Sequence, residues 1–81
     1  MNVKVRFFAI ARQTVGEREV EIELKEGATV QDLWDVLLRR FPRLNPMSGS
    51  LKLAVNWDYV QPEAVLRDGD EVAVIPPVSG G

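Results

Sequence analysis

The 81-residue chain contains neither cysteine nor histidine. Those two absences remove most of the chemistry a small protein can perform by itself. Without a thiolate or an imidazole there is no sulfur- and nitrogen-ligated zinc site, no iron–sulfur cluster, no cysteine nucleophile and no serine–histidine–aspartate triad. No disulfide can form, which fits a reducing cytoplasm. An excess of positive charge is also missing: 10 Lys and Arg stand against 12 Asp and Glu, for a net charge of −2. That balance offers no electrostatic footprint for nucleic acid or an anionic membrane. Long apolar runs are absent as well. The stretch Phe7 to Ala11 is too short for a secretory signal and is closed by Arg12. Nothing approaches the ~20 apolar residues of a membrane span, so the expected location is the cytoplasm. Neither GxGxxG nor GxxxxGK[ST] occurs, and Asp68-Gly69-Asp70-Glu71 lacks the spacing and bidentate Glu of a calcium loop. No bound cofactor and no metal are expected on this chain.

What remains is a short, patterned sequence with room for one modest core. Val3 to Ile10 alternates as a strand, with Val3, Val5, Phe7 and Ala9 on one face and Lys4, Arg6, Phe8 and Ile10 on the other. Ala11 to Gly16 reads as a loop. Val20, Ile22 and Leu24 alternate with Glu19, Glu21 and Glu23, a half-buried strand with an acidic outer face. Thr29 and Asp32 have the spacing of an N-cap and a capping box. Behind them Val30, Leu33, Trp34, Leu37, Leu38 and Phe41 form a helical apolar stripe that Pro42 ends. Arg39, Arg40 and Arg43 are a solvated helix end. Arg43 to Ser50 reads as a loop and Leu51 to Asn56 as a strand. A turn at Asn56-Trp57-Asp58 leads into a short extended piece, Tyr59-Val60. The Asp-Gly pair at 68–69 marks a tight turn, and Glu71 to Ile75 is the last strand.

One main helix lying on one face of a mixed sheet of about five strands is an α+β arrangement. A right-handed crossover lets the first and last strands lie side by side and parallel. That is the β-grasp fold of ubiquitin. It is expected over residues 1–75, with residues 76–81 as a flexible tail. Alternation puts Phe8 and Ile75 on the outward face of those neighbouring strands, and Val60 is expected to join them. An exposed apolar cluster beside a protruding tail suggests a docking patch.

The tail itself is Pro76-Pro77-Val78-Ser79-Gly80-Gly81. Pro76 and Pro77 remove two backbone donors and favour an extended base. Gly80 and Gly81 have no Cβ, so a narrow channel could close on their backbone. From Pro77 onward the reach is at most roughly 16–18 Å. A carboxylate at Gly81 becomes an acyl donor once a partner adenylates it, and a sulfur source can then displace AMP to leave a thiocarboxylate. With no cysteine in the chain, any carried sulfur would sit at Gly81.

Val5-Arg6-Phe7-Phe8-Ala9-Ile10-Ala11-Arg12, Leu53-Ala54-Val55-Asn56 and the block from Leu66 to Gly81 together resemble the family of small subunits of molybdopterin synthase. Those proteins are ubiquitin-like sulfur carriers of the MoaD/ThiS type. The resemblance implies that Gly81 is adenylated by a relative of ubiquitin-activating enzymes, which uses ATP. Gly81 then becomes a thiocarboxylate. It implies insertion of Pro77, Val78, Ser79 and Gly80 into a large subunit that binds cyclic pyranopterin monophosphate, within a heterotetramer. The chain itself is then a sulfur donor and not a catalyst. Phe8 matches the second phenylalanine of the family's Phe-Phe pair at the partner interface. Ile75 matches the bulky residue before Pro-Pro, and Arg12 an arginine that contacts the activating enzyme. The tail chemistry alone also fits a protein modifier joined to lysines, or a sulfur carrier for tRNA thiolation or thiazole synthesis.

Overall fold

The computed structural model describes residues 1–76. The elements run β1 (Asn2–Phe7), α1 (Ala9–Val15), β2 (Glu19–Glu23), α2 (Val30–Arg40), a 3-10 helix (Pro42–Ser50), β3 (Lys52–Val55), β4 (Asp58–Tyr59) and β5 (Glu71–Ile75). The five strands form one sheet in the order β2-β1-β5-β3-β4. β1 and β5 are parallel neighbours at its centre, and the other pairings are antiparallel. This is the β-grasp arrangement that the pattern predicts.

Period-2 burial builds one wall of the core. Val3, Val5 and Phe7 from β1, Ile22 from β2, and Val72 and Val74 from β5 all face inward and are buried. Leu33 and Leu37 of α2 close over them with no exposed surface. Burial of each such leucine stabilises the fold by about 1.5–3 kcal/mol. The helix begins where the capping box requires. The Asp32 N–H donates to Thr29 Oγ1 at 3.2 Å, and the Thr29 N–H donates to Asp32 Oδ2 at 2.9 Å. It ends at Arg40, with Phe41 set edge-on to Phe7 at 5.6 Å between ring centroids.

Two segments expected to be loops are helical. β1 stops at Phe7 rather than Ile10, and Ala9–Val15 forms α1. The alternation runs on in the sequence because Ala9 and Ile10 are compatible with either structure. In the fold Ala9 is exposed and Ala11 is the buried residue. Gly16 closes α1 at φ 84°, where its N–H reaches the Arg12 carbonyl at 2.8 Å. The second segment is the 3-10 helix. Pro42 occupies its first turn, and Asn45, Ser48 and Ser50 each donate from the side chain to the carbonyl three residues back. It brings Leu44 into the core, fully buried. Neither helix changes the sheet; together they pack against each other at one end of it.

The β3–β4 connection is tighter than the sequence suggests. Val55 pairs directly with Asp58, leaving only Asn56 and Trp57 in the turn, at φ 49° and 72°. Two positive φ values are what a type I′ hairpin needs. Asparagine tolerates that region, but for tryptophan it costs about 1–3 kcal/mol. The turn is clamped from outside. Asn56 Nδ2 donates to Asp70 Oδ1 at 3.0 Å, and the Glu71 N–H donates to Asn56 Oδ1 at 3.1 Å. The same Asp68–Asp70 turn secures the start of β1. There the Asn2 N–H donates to Asp68 Oδ1 at 2.7 Å, and the Gly69 N–H donates to the Asn2 carbonyl at 2.8 Å.

Candidate functional site

The sheet has α2 on one face only, so the composition of the other face decides what the molecule can dock. Cross-strand register places one row of that outer face as Glu19, Arg6, Ala73, Ala54 and Tyr59. The row divides the face. On the β2 and β1 side it is charged: Lys4 and Arg6 lie 3.8 and 3.7 Å from Glu19, and Arg6 Nε lies 3.1 Å from Glu71 Oε1. That last contact is an ion pair without hydrogen-bond alignment, since both atoms are buried and neither has a hydrogen-bond partner among the described residues. On the β5, β3 and β4 side Ile75, Ala73, Ala54 and Tyr59 form a largely apolar strip, with the exposed Lys52 paired beside Ile75 at its end. Ala54 and Ala73 are each 3% exposed although they lie outside the main core cluster, and they form a small-residue floor.

Phe8 and Ile75 stand at one end of this apolar half. Phe8 keeps an extended backbone (φ −121°, ψ 149°), and its N–H donates to the Val74 carbonyl at 3.2 Å. It therefore continues the β1 alternation by one residue and points outward beside Ile75. Its own carbonyl accepts from the Ala11 N–H at 3.1 Å, which starts α1. Ala9, at φ 51°, makes the sharp change of direction that leaves Phe8 projecting. Phe8 is 37% exposed, a large ring left partly in water at the point where β5 ends.

The hairpin determines which residue joins them. Because β4 begins at Asp58 and not Tyr59, the outward residue is Tyr59, paired with Ala54. A shift of one residue exchanges the faces of a strand. Val60 accordingly packs toward the core, in a groove with Val30, Trp34, Leu51, Leu53 and Pro62 on the helix side of the sheet. The expected grouping of Val60 with Phe8 and Ile75 is thus corrected to Tyr59. Trp57 is the other contributor. Its ring centroid lies 6.4 Å from that of Phe8 at an interplanar angle of 59°. Tyr59 was legible only through exact hairpin register, which the sequence pattern leaves ambiguous by one residue, whereas Trp57 already stands in the turn that the sequence predicts.

Arg12 lies on α1 and lines a shallow depression with Arg6, Phe8, Ala9 and Arg18, so it borders the aromatic patch on its charged side. The tail residues Pro77, Val78, Ser79, Gly80 and Gly81 lie outside the described residues. Among the described residues there is no cluster of three or more potential metal ligands, and no helix is long and apolar enough to cross a membrane.

A five-stranded β-grasp sheet with an apolar outer patch at the end of its last strand defines a small ubiquitin-like protein. The chain belongs to the ThiS family, whose model matches residues 5–81. A relative from Chlamydomonas reinhardtii, named molybdopterin synthase sulfur carrier subunit, is 41% identical over the whole of both chains. The crystal structure of SAMP1 from Haloferax volcanii superposes with a TM-score of 0.89 at 28% identity, covering all of both chains. A third match is a complex of subunits 1 and 2 of molybdopterin-converting factor from Helicobacter pylori. One chain of it aligns over all of both chains at 28% identity and a TM-score of 0.76.

Proposed function

We propose that this chain is the sulfur-carrier subunit of molybdopterin synthase, acting in the cytoplasm, and that Gly81 carries the sulfur. The observation that carries this reading is the adjacency of Phe8 and Ile75 at the end of β5, from which the sequence continues directly into Pro76 and on to Gly81. A partner gripping that patch has residues 77–81 within its reach, and the span of roughly 16–18 Å is enough to enter a buried site. The match of the family model through residue 81 and the name of the full-length algal relative support the same assignment. The subunit complex from Helicobacter pylori supports a large subunit as the docking partner.

In this reading the Gly81 carboxylate attacks the α-phosphorus of ATP in an adenylyltransferase and pyrophosphate leaves. A hydrosulfide equivalent then attacks the acyl carbon and AMP leaves, giving the thiocarboxylate. Two loaded tails enter the large subunit in succession, and each delivers one sulfur to cyclic pyranopterin monophosphate to build the dithiolene, the acyl C–S bond breaking with water to restore the Gly81 carboxylate. This chain contributes the carrier atom and the docking face. ATP, pterin and the proton-transfer groups belong to its partners. Deletion of Gly81 tests the assignment: molybdopterin formation by the reconstituted synthase falls to background while the circular dichroism spectrum and melting temperature stay those of the full chain. A fully active deletion variant removes Gly81 from the reaction.

A further inference from the structure

A hairpin of two residues with positive φ is best served by Asn-Gly, because glycine has no Cβ to clash in the left-handed region. This chain has the asparagine at position 56 and a tryptophan at position 57, held at φ 72°. The bulkiest side chain thus occupies the position where a side chain is least welcome. The core does not explain it: Trp57 is 62% exposed and lies outside the buried cluster. Nor is the turn free to relax, since the Asn56 side chain is bonded to both Asp70 and Glu71. The ring instead lies against Phe8 across the outer face. A local rule broken with no gain beyond that one contact on the surface marks a residue kept for another purpose.

Resting on the reading of the Phe8 face as the docking surface for the synthase large subunit, we infer that Trp57 is a principal anchor of that interface. It extends the contact from Phe8 and Ile75 to the β3–β4 hairpin. An exposed tryptophan contiguous with a second aromatic ring is the residue type that dominates binding energy in protein interfaces. Ala54 and Ala73 are only 3% exposed, so the surface open to a partner comes from the aromatic rings around them.

The inference gives stability and affinity opposite signs. Trp57→Gly relieves the strained turn and removes the anchor, so its melting temperature rises. Its Kd for the purified large subunit increases at least about tenfold. Trp57→Phe keeps an aromatic anchor and retains most of the affinity. Titration calorimetry of these two variants beside Phe8→Asp, with thermal melts of the free chains, reads all three. A lower melting temperature for Trp57→Gly makes Trp57 a structural residue and overturns the inference. So does unchanged affinity of Trp57→Gly while Phe8→Asp binds weakly, and that result leaves the docking reading intact. Unchanged affinity in both variants removes the docking face itself.

Discussion

Single side chains decide what the outer face can do, and three of them make separable predictions. Phe8 projects because β1 ends one residue before it and Ala9 turns the backbone away at φ 51°. Phe8→Asp places a charge within the patch, so its affinity for the large subunit falls at least about tenfold, with little change in melting temperature. Tyr59 and Val60 are adjacent in sequence but serve opposite faces. Tyr59→Asp weakens docking as Phe8→Asp does. Val60→Ala lowers stability by a modest amount and leaves docking unchanged, measured by the same titration and by urea unfolding. An interface defect in Val60→Ala with a normal Tyr59→Asp would reverse the assignment of faces. At this scale the sequence was legible wherever alternation continued unbroken, as at Phe8 and Ile75. It was misleading at Val60, because nothing in Asn56-Trp57-Asp58-Tyr59 announces that the turn holds two residues rather than three.

At the scale of elements, α2 is the best specified. Its cap, stripe and stop all lie in adjacent residues, and each local signal agrees with the tertiary requirement. Thr29→Ala removes one half of the capping box and costs about 1 kcal/mol of unfolding free energy by urea denaturation. Docking and tail chemistry are unaffected, because the cap lies on the opposite side of the sheet from Phe8. The two missed helices failed to show for different reasons. In α1 the apolar residues Ala9, Ile10 and Ala11 satisfy a strand pattern as easily as a helix, and only Ala11 is committed to the core. In the 3-10 helix, Pro42, Pro46 and Gly49 read as loop residues, and the stabilising bonds come from side chains to nearby carbonyls. Such short-range bonds leave no periodic trace in the sequence.

For the whole molecule, division of labour between the two sheet faces is the organising fact. The covered face holds the fold, and Leu37→Ala there should cost about 2–5 kcal/mol, since the fully buried side chain leaves a cavity. In a single small core that loss is a large fraction of total stability, so the variant unfolds at markedly lower urea. The uncovered face is split into a charged half around Arg6 and Glu19 and a largely apolar half around Phe8 and Tyr59, and in the proposed function it carries recognition. In the proposed function the reactive atom belongs to Gly81, at the far end of the sequence from Phe8. On that proposal a chain without cysteine or histidine takes part in sulfur chemistry because its partners supply the reactive groups and it supplies a handle and a terminus. Intact mass spectrometry of the chain isolated from its native cell tests this most directly. The predicted result is a species heavier by the replacement of one oxygen with sulfur, localised to Gly81 and lost when the adenylyltransferase is absent. A chain bearing only an unmodified carboxylate, or modified only through a Gly81–lysine cross-link to other proteins, contradicts the carrier assignment.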